Sequence, residues 1–222
     1  MWCIPEVTPD FINRMENILE IYEKPYNPKE PVICVDEKSK QLIGNKRKPK
    51  QTKQGKFRRT DDEYKRNGTR NIFLAVEPLA GFRKAKITRR RKKPDFAKFI
   101  KDLVDLKRYA GANRIHIVAD NLNTHFEKSF YETFSETEAR RIFDKIQFHY
   151  TPKHASWLNM AEIEIGIMDK QCTRKRIASA KSLVKNISIW QATRNRRRSK
   201  ICWRFTREKA RIKFRYQPAK LS

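Results

Sequence analysis

Polar and apolar positions change period several times along the chain, and each change predicts an element. Residues 15–21 read as the end of a short helix, after which Pro25, Pro28 and Pro31 enforce an extended approach. The β-branched run at 32–36 predicts a buried central strand that delivers an acid, Asp36, to the sheet edge. Gly44, Pro49 and Gly55, set among many Lys and Arg, predict only a short strand at 41–43 and then a mobile basic loop. A second strong strand covers 71–76, and 83–88 pairs with it across Pro78 and Gly81, which makes a meander.

Further along, Pro94 stands in a first helical turn, and Phe96, Phe99, Ile100, Leu103 and Leu106 recur at helical spacing until Gly111. Residues 114–119 form another buried strand that ends on an acid, Asp120. Ser135-Glu136-Thr137-Glu138 is a capping-box pattern for a helix through Phe143, followed by a strand at 146–150 that Pro152 stops. Leu158, Ala161, Ile165, Met168 and Cys172 then follow the i, i+3, i+4 rule, so Glu162 falls in the first turns of a helix. The order is three strands, helix, strand, helix, strand, helix.

Composition adds that this is a folded chain with a polyanionic partner. At 222 residues it is one large domain or two small ones, and 38% apolar residues exclude a disordered basic tail. There are 52 Lys and Arg against 25 Asp and Glu, a net +27, and the charge is segregated. Residues 38–70 hold 13 basic and 3 acidic residues, 83–93 hold 8 and none, and 171–222 hold 17 and 1, which leaves an acidic remainder of −7. Segregated basic runs neutralise phosphates, so nucleic acid is the expected ligand. Cys3, Cys34, Cys172 and Cys202 show no CxxC spacing and read as reduced thiols. No apolar run reaches the roughly 18 residues of a membrane span, and the N-terminus lacks a secretion signal, so a cytoplasmic location is expected.

Asp36, Asp120 and Glu162 are separated by 84 and 42 positions. If the strands ending at the two aspartates are neighbours, their carboxylates emerge at one edge, where a helix can add the third. Clustered carboxylates repel, and hard oxygen-ligand cations such as Mg²⁺ or Mn²⁺ relieve that repulsion. Two such ions support in-line displacement at phosphorus. Periodicity alone does not choose between Asp36 and Glu37, or between Glu162 and Glu164. His149, His154 and Cys172 lack the spacing of a zinc site. Trp157 is expected to pack under the last helix.

Three segments carry a resemblance. Cys34-Val35-Asp36-Glu37-Lys38, Val118-Ala119-Asp120-Asn121-Leu122-Asn123-Thr124-His125 and Tyr150-Thr151-Pro152-Lys153-His154-Ala155-Ser156-Trp157-Leu158-Asn159-Met160-Ala161-Glu162 closely resemble the acid-bearing motifs of bacterial insertion-sequence transposases. These belong to the insertion sequence 630 family of the Tc/mariner superfamily. Residues 63–69 and 76–81 also look like that family. The resemblance implies an α/β ribonuclease H-like fold, with a mixed central sheet flanked by helices. It also implies a triad of Asp36, Asp120 and Glu162 that is catalytic and holds two Mg²⁺ or Mn²⁺ ions. Glu37, Asn121, Asn123, His125, Asn159 and Glu164 become supporting residues. The implied reaction is hydrolysis at transposon ends followed by attack of the freed 3′-hydroxyl on target DNA.

On this reading residues 1–30 are a lead-in helix and linker, 31–176 the catalytic domain and 177–222 a basic helical and aromatic extension packed on it. Candidate contacts to double-stranded DNA are Lys46, Arg47, Lys48, Arg58 and Arg59 in the first basic segment, and Arg89, Arg90 and Arg91 in the second. Arg174, Arg176, Arg196, Arg197 and Arg198 are those of the third. Arg204 and Arg207 alternate with Trp203 and Phe205 in a way that suits phosphates and bases. The expected partners are transposon ends and target DNA, a second copy in a synaptic homodimer, and no membrane. A helix-turn-helix is not evident in residues 1–30, so a separate polypeptide from an upstream frame is expected to supply end recognition. The location implied is the bacterial cytoplasm at the nucleoid. The rival readings are a ribonuclease H-like nuclease or resolvase, and a catalytically silent DNA-binding remnant.

Overall fold

The computed structural model describes residues 6–47, 62–120 and 127–217. Helix α1 (Pro9–Glu23) is opened by Thr8, whose side chain accepts from the Phe11 N–H, with Pro9 in the first turn. Strands β1 (Val32–Asn45), β2 (Tyr64–Glu77) and β3 (Phe82–Thr88) form the meander. Then come α2 (Lys93–Val104), β4 (Ile115–Ala119), α3 (Lys128–Tyr131), α4 (Glu136–Lys145) and β5 (Ile146–Tyr150). Helix α5 (Met160–Met168) runs on into a π-helical turn (Asp169–Thr173), and α6 (Ala180–Arg196) and α7 (Arg207–Phe214) follow.

The sheet order is β3-β2-β1-β4-β5. β1 is antiparallel to β2 and parallel to β4, which is parallel to β5. One face carries Ile33, Val35, Phe73, Ala75, Ile115 and Ile117 against α2, α3 and α4. Phe130 lies at the centre of an aromatic cluster there, 4.9 Å from Phe143 and 6.2 Å from Phe96 between ring centres. The other face carries Cys34, Val76 and Val118 against α1 and the start of α5. Beside them, Leu42, Ile72 and Leu74 are covered by Leu183, Ile187 and Trp190 of α6. α6 also closes the β3 edge: the Arg83 and Ala85 N–H groups donate to Asn195 Oδ1 (2.7 Å) and Gln191 Oε1 (2.6 Å), and Asn195 Nδ2 donates to the Arg83 carbonyl. Two amides one helical turn apart thus stand in for a sixth strand and blunt an edge open to aberrant pairing.

Four sequence expectations are corrected. β1 is one strand of 14 residues, where two short ones were expected, because its ladder with β2 continues through a bulge between Gln41 and Ile43. β2 starts at Tyr64 instead of residue 71. The two extensions form a two-stranded arm in which Leu42 alone reaches the core, under α6, and Ile43 and Asn67 bond the 177–178 segment, so no regular apolar alternation marks them. α2 stops at Val104, and Leu106 reaches the core from the tight turn beyond it. Arg83, counted among the surface cations, is fully buried.

A buried polar link ties α1 to the sheet. The His116 Nδ1 and His149 Nε2 atoms lie 2.9 Å apart, and His149 Nδ1 bonds Asn17 Oδ1. Burial, then the charges of His116 and Lys24, hold His149 at about 4. The unfolded chain takes up this proton near pH 6.5, but the folded chain refuses it until about pH 4. Stability from this residue is therefore present above pH 6.5 and is lost as pH falls toward 4, by about 3 kcal/mol. Urea melts across that window should show the decline, and His149→Gln should flatten it.

Candidate functional site

The aligned pairs Val32↔His116, Ile33↔Ile117 and Cys34↔Val118 all differ by 84, the separation of Asp36 and Asp120. Continued two residues, this register sets the two aspartates side by side on the face of Cys34 and Val118, where α5 begins. Asn159 fixes that helix. Fully buried, it caps α5 by accepting from the Ala161 N–H (3.1 Å), while its Nδ2 donates to the Val35 carbonyl (2.9 Å), one residue before Asp36. Tyr22 secures the preceding turn by donating to the Leu158 carbonyl at 2.9 Å. Glu162 consequently sits in the first turn of α5, above the aspartates.

The three carboxylates feel one another. Burial raises Asp36 from the ordinary carboxylate range to about 7, against a 2.7 Å hydrogen bond from the Glu37 N–H, and the charges of Asp120, Glu37 and Glu162 push it the same way. Partial desolvation and then the Asp120 charge raise Glu162, whose residue is otherwise open to solvent. Among the described residues no three carboxylate, imidazole or thiol groups close on a common point. These groups thus share a face and an electrostatic field without converging. Asp36 and Glu162, both raised, suit a divalent counter-charge, and the all-oxygen donor set of the three acids fits Mg²⁺ or Mn²⁺.

The remaining candidates separate into several places. Strand alternation puts Glu37 on the face opposite Asp36, and Arg91 Nη1 approaches it at 3.9 Å, so the Arg89, Arg90 and Arg91 run lies toward that opposite face. Glu164 turns away from Glu162 into the interior. It accepts from Arg83 Nη2 (2.8 Å) and, through both oxygens, from Arg194 Nε and Nη2 (2.9 Å each). This triad joins α5 to β3 and α6. Nothing in the spacing announced Arg83 or Arg194 as its members, since both belonged to apparent surface runs.

Lys46 and Arg47 stand at the end of the β1–β2 arm, 3.3 and 3.6 Å from Glu63. Arg174 and Arg176 are exposed where the chain crosses that arm. Arg196, Arg197 and Arg198 lie instead at the other end of β2 and β3, where the Arg198 backbone packs on Gly81 so closely that a Cβ there would meet it at 2.4 Å. Asn121, Asn123, His125, Lys48, Arg58 and Arg59 lie outside the described residues. Trp157 packs as expected, with its ring stacked on Phe214 of α7 at 6.5 Å. A cavity of about 340 Å³ lined by Tyr22, Tyr26, Val32, Trp203 and others lies at the opposite end of β1 from the acids.

A mixed five-stranded sheet flanked by helices on both faces is the ribonuclease H-like fold of the DDE transposases. The sequence profile of the DDE superfamily endonucleases matches residues 31–184, and the chain belongs to that family. Among solved structures it is similar to the Mos1 transposase paired-end complex with the left transposon end, with a TM-score of 0.57 and 15% identity over 86% of this chain and 57% of that one. The mariner Mos1 paired-end complex with Mg gives 0.55 and 16% identity, over 97% and 63%. The Mos1 strand transfer complex gives 0.52 and 16%, over 97% and 62%. This chain therefore spans about three fifths of the length of those proteins. No curated protein shows significant sequence similarity to it.

Proposed function

We propose that the chain is the catalytic part of a DNA transposase related to the insertion sequence 630 branch of the Tc/mariner superfamily. Residues 31–176 would carry the chemistry, and 177–222 would brace it. The observation that carries this reading is the register that pairs Asp36 with Asp120 beneath the capped start of α5. Asp36, Asp120 and Glu162 would hold two Mg²⁺ or Mn²⁺ ions. Such ions activate water or a 3′-hydroxyl and stabilise the leaving oxygen at phosphorus.

The chain's own residues do the rest. Asn159 sets the height and phase of α5, so Glu162 stays over the aspartates. The Arg89 to Arg91 run, anchored at Glu37 on the other face of the sheet, adds phosphate-neutralising charge for DNA that extends past the site. The partners of this reading are duplex transposon ends and target DNA, a second copy of the chain, and a helix-turn-helix polypeptide for end recognition. Its location is the bacterial cytoplasm, at the nucleoid. Among the described residues no helix is long and apolar enough to cross a membrane.

The test is nicking of supercoiled plasmid. Relaxation should need Mg²⁺ or Mn²⁺, stop on chelation and return when the metal is restored. Joined products should form only when oligonucleotides ending in the element's own terminal repeats are supplied. Relaxation that persists in chelator would reject the metal reading, and joining of arbitrary ends would reject the transposase reading.

A further inference from the structure

The β1–β2 arm carries a built cationic cluster that the carboxylate site does not use. At its end Asn45 pairs with Tyr64, whose ring is 44% exposed. Two guanidinium groups stand over that ring, Arg66 at 5.8 Å and Arg176 at 5.7 Å, and Arg66 Nη2 also reaches the Tyr64 hydroxyl at 3.4 Å. Arg176 comes from the segment between α5 and α6, which is laced to the arm by two hydrogen bonds of 2.8 Å. The Ile43 N–H donates to the Ile177 carbonyl, and Asn67 Nδ2 donates to the Ala178 carbonyl. The two arginines therefore converge from distant parts of the chain, on a platform fixed by backbone contacts.

A guanidinium carries five N–H donors, so an arginine held against an aromatic ring, with one edge bonded as Arg66 Nη2 is to the Tyr64 hydroxyl, still presents donors to a phosphate. Among the described residues no carboxylate pairs with Arg66. Glu63, an acid on the same arm, is engaged by Lys46 and Arg47. Along β1 the cluster is nine positions from Asp36, a reach of about 30 Å. At 3.4 Å per step, duplex DNA covers that length in about nine base pairs.

We propose that Arg66 and Arg176, stacked on Tyr64, grip the phosphate backbone of duplex DNA about nine base pairs, nearly one helical turn, from the bond that lies at Asp36. The inference deepens the DNA-cutting reading and rests on it only for the position of the cut. Its occupant is a nucleic-acid phosphate and not an acidic protein surface, because the fork geometry and the local excess of cations select a polyphosphate. The grip acts in binding, and it sets how much duplex the enzyme requires.

The experiment measures affinity of the full chain for fluorescein-labelled duplex DNA in calcium buffer, as a function of KCl concentration. Arg66→Ala/Arg176→Ala should lower the slope of log K against log salt by about two units and weaken binding by roughly ten- to a hundred-fold near 0.1 M salt. Lys24→Ala/Lys29→Ala, an equal charge loss at the other end of β1, should leave the slope unchanged. Tyr64→Ala, which keeps both charges but removes their platform, should weaken binding by about two- to five-fold. Hairpin-closed duplexes of roughly seven base pairs, too short to bridge acids and grip, should give the parent the slope of the double variant. An unchanged slope in Arg66→Ala/Arg176→Ala overturns the proposal. If self-association in the ultracentrifuge is lost as well, the cluster meets a second copy. A parent that shows these salt effects yet cuts no DNA with any divalent metal leaves the grip standing and refutes the cutting site.

Discussion

Replacing Asp36 with asparagine is expected to reduce metal-dependent nicking by about 10³-fold while the metal-free protein becomes more stable. The activity loss follows from removing a carboxylate that positions divalent charge, worth several kcal/mol at the transition state. The stability gain follows from the same carboxylate's surroundings. Burial and the charges of Asp120, Glu37 and Glu162 raise Asp36 to about 7. A carboxyl whose folded pKa exceeds its unfolded value opposes folding once pH passes the unfolded value, and the penalty is complete above about pH 7. With allowance for partial solvent screening, Asp36→Asn should add about 1–3 kcal/mol at pH 8, and no gain should remain near pH 4. Thermal melts at the two pH values, beside nicking rates, check both halves. A variant that loses activity and stability together would mark Asp36 as a structural residue.

The second large effect is expected in the interior. Glu164 and Arg83 are fully buried, and Arg194 is 17% exposed in its side chain. Among the described residues Arg83 Nε and Nη1 have no hydrogen-bond partner, and the two guanidinium groups share the single Glu164 carboxylate. Removing that carboxylate leaves two guanidinium groups with no counter-charge. Glu164→Gln should therefore cost about 3–5 kcal/mol, whereas exchanging all three for apolar side chains of similar volume, Arg83→Met/Glu164→Leu/Arg194→Met, should restore most of it. Denaturant midpoints of the single and triple variants measure this. Because the triad sets the rotation of α5, the triple variant should fold yet still nick DNA more slowly than the parent, with its DNA affinity intact.

How far the sequence announced this architecture depends on what each residue leans on. The strands around Asp36 and Asp120 were legible because both faces of the sheet centre are covered, which demands unbroken apolar runs, and because each run ends on an acid. The helix holding Glu162 was legible from its apolar spacing. The choice between Glu162 and Glu164 was not, since Ile163, Ile165 and Ile167 alternate with them and leave no single polar face. It was decided by Arg83 and Arg194, which lie 81 and 30 positions from Glu164. Each looks like a surface cation until β3 and α6 are placed. The arm from Ser39 to Asn45 was legible only at 41–43, where Leu42 turns into the core; the rest is a largely exposed ladder whose Lys and Arg resemble those of a loop. His149 was legible as a poor zinc ligand but not as the partner of His116, since that pairing follows from the β4–β5 register and from Asn17 on α1.

The central claim is that Asp36, Asp120 and Glu162 receive divalent metal as one site. Anomalous scattering from crystals grown with Mn²⁺ tests it most directly. Manganese peaks held by the Asp36, Asp120 and Glu162 carboxylates, and their loss in Asp120→Ala, are the expected result. Manganese bound elsewhere with those carboxylates bare, or peaks that survive Asp120→Ala unchanged, would contradict it.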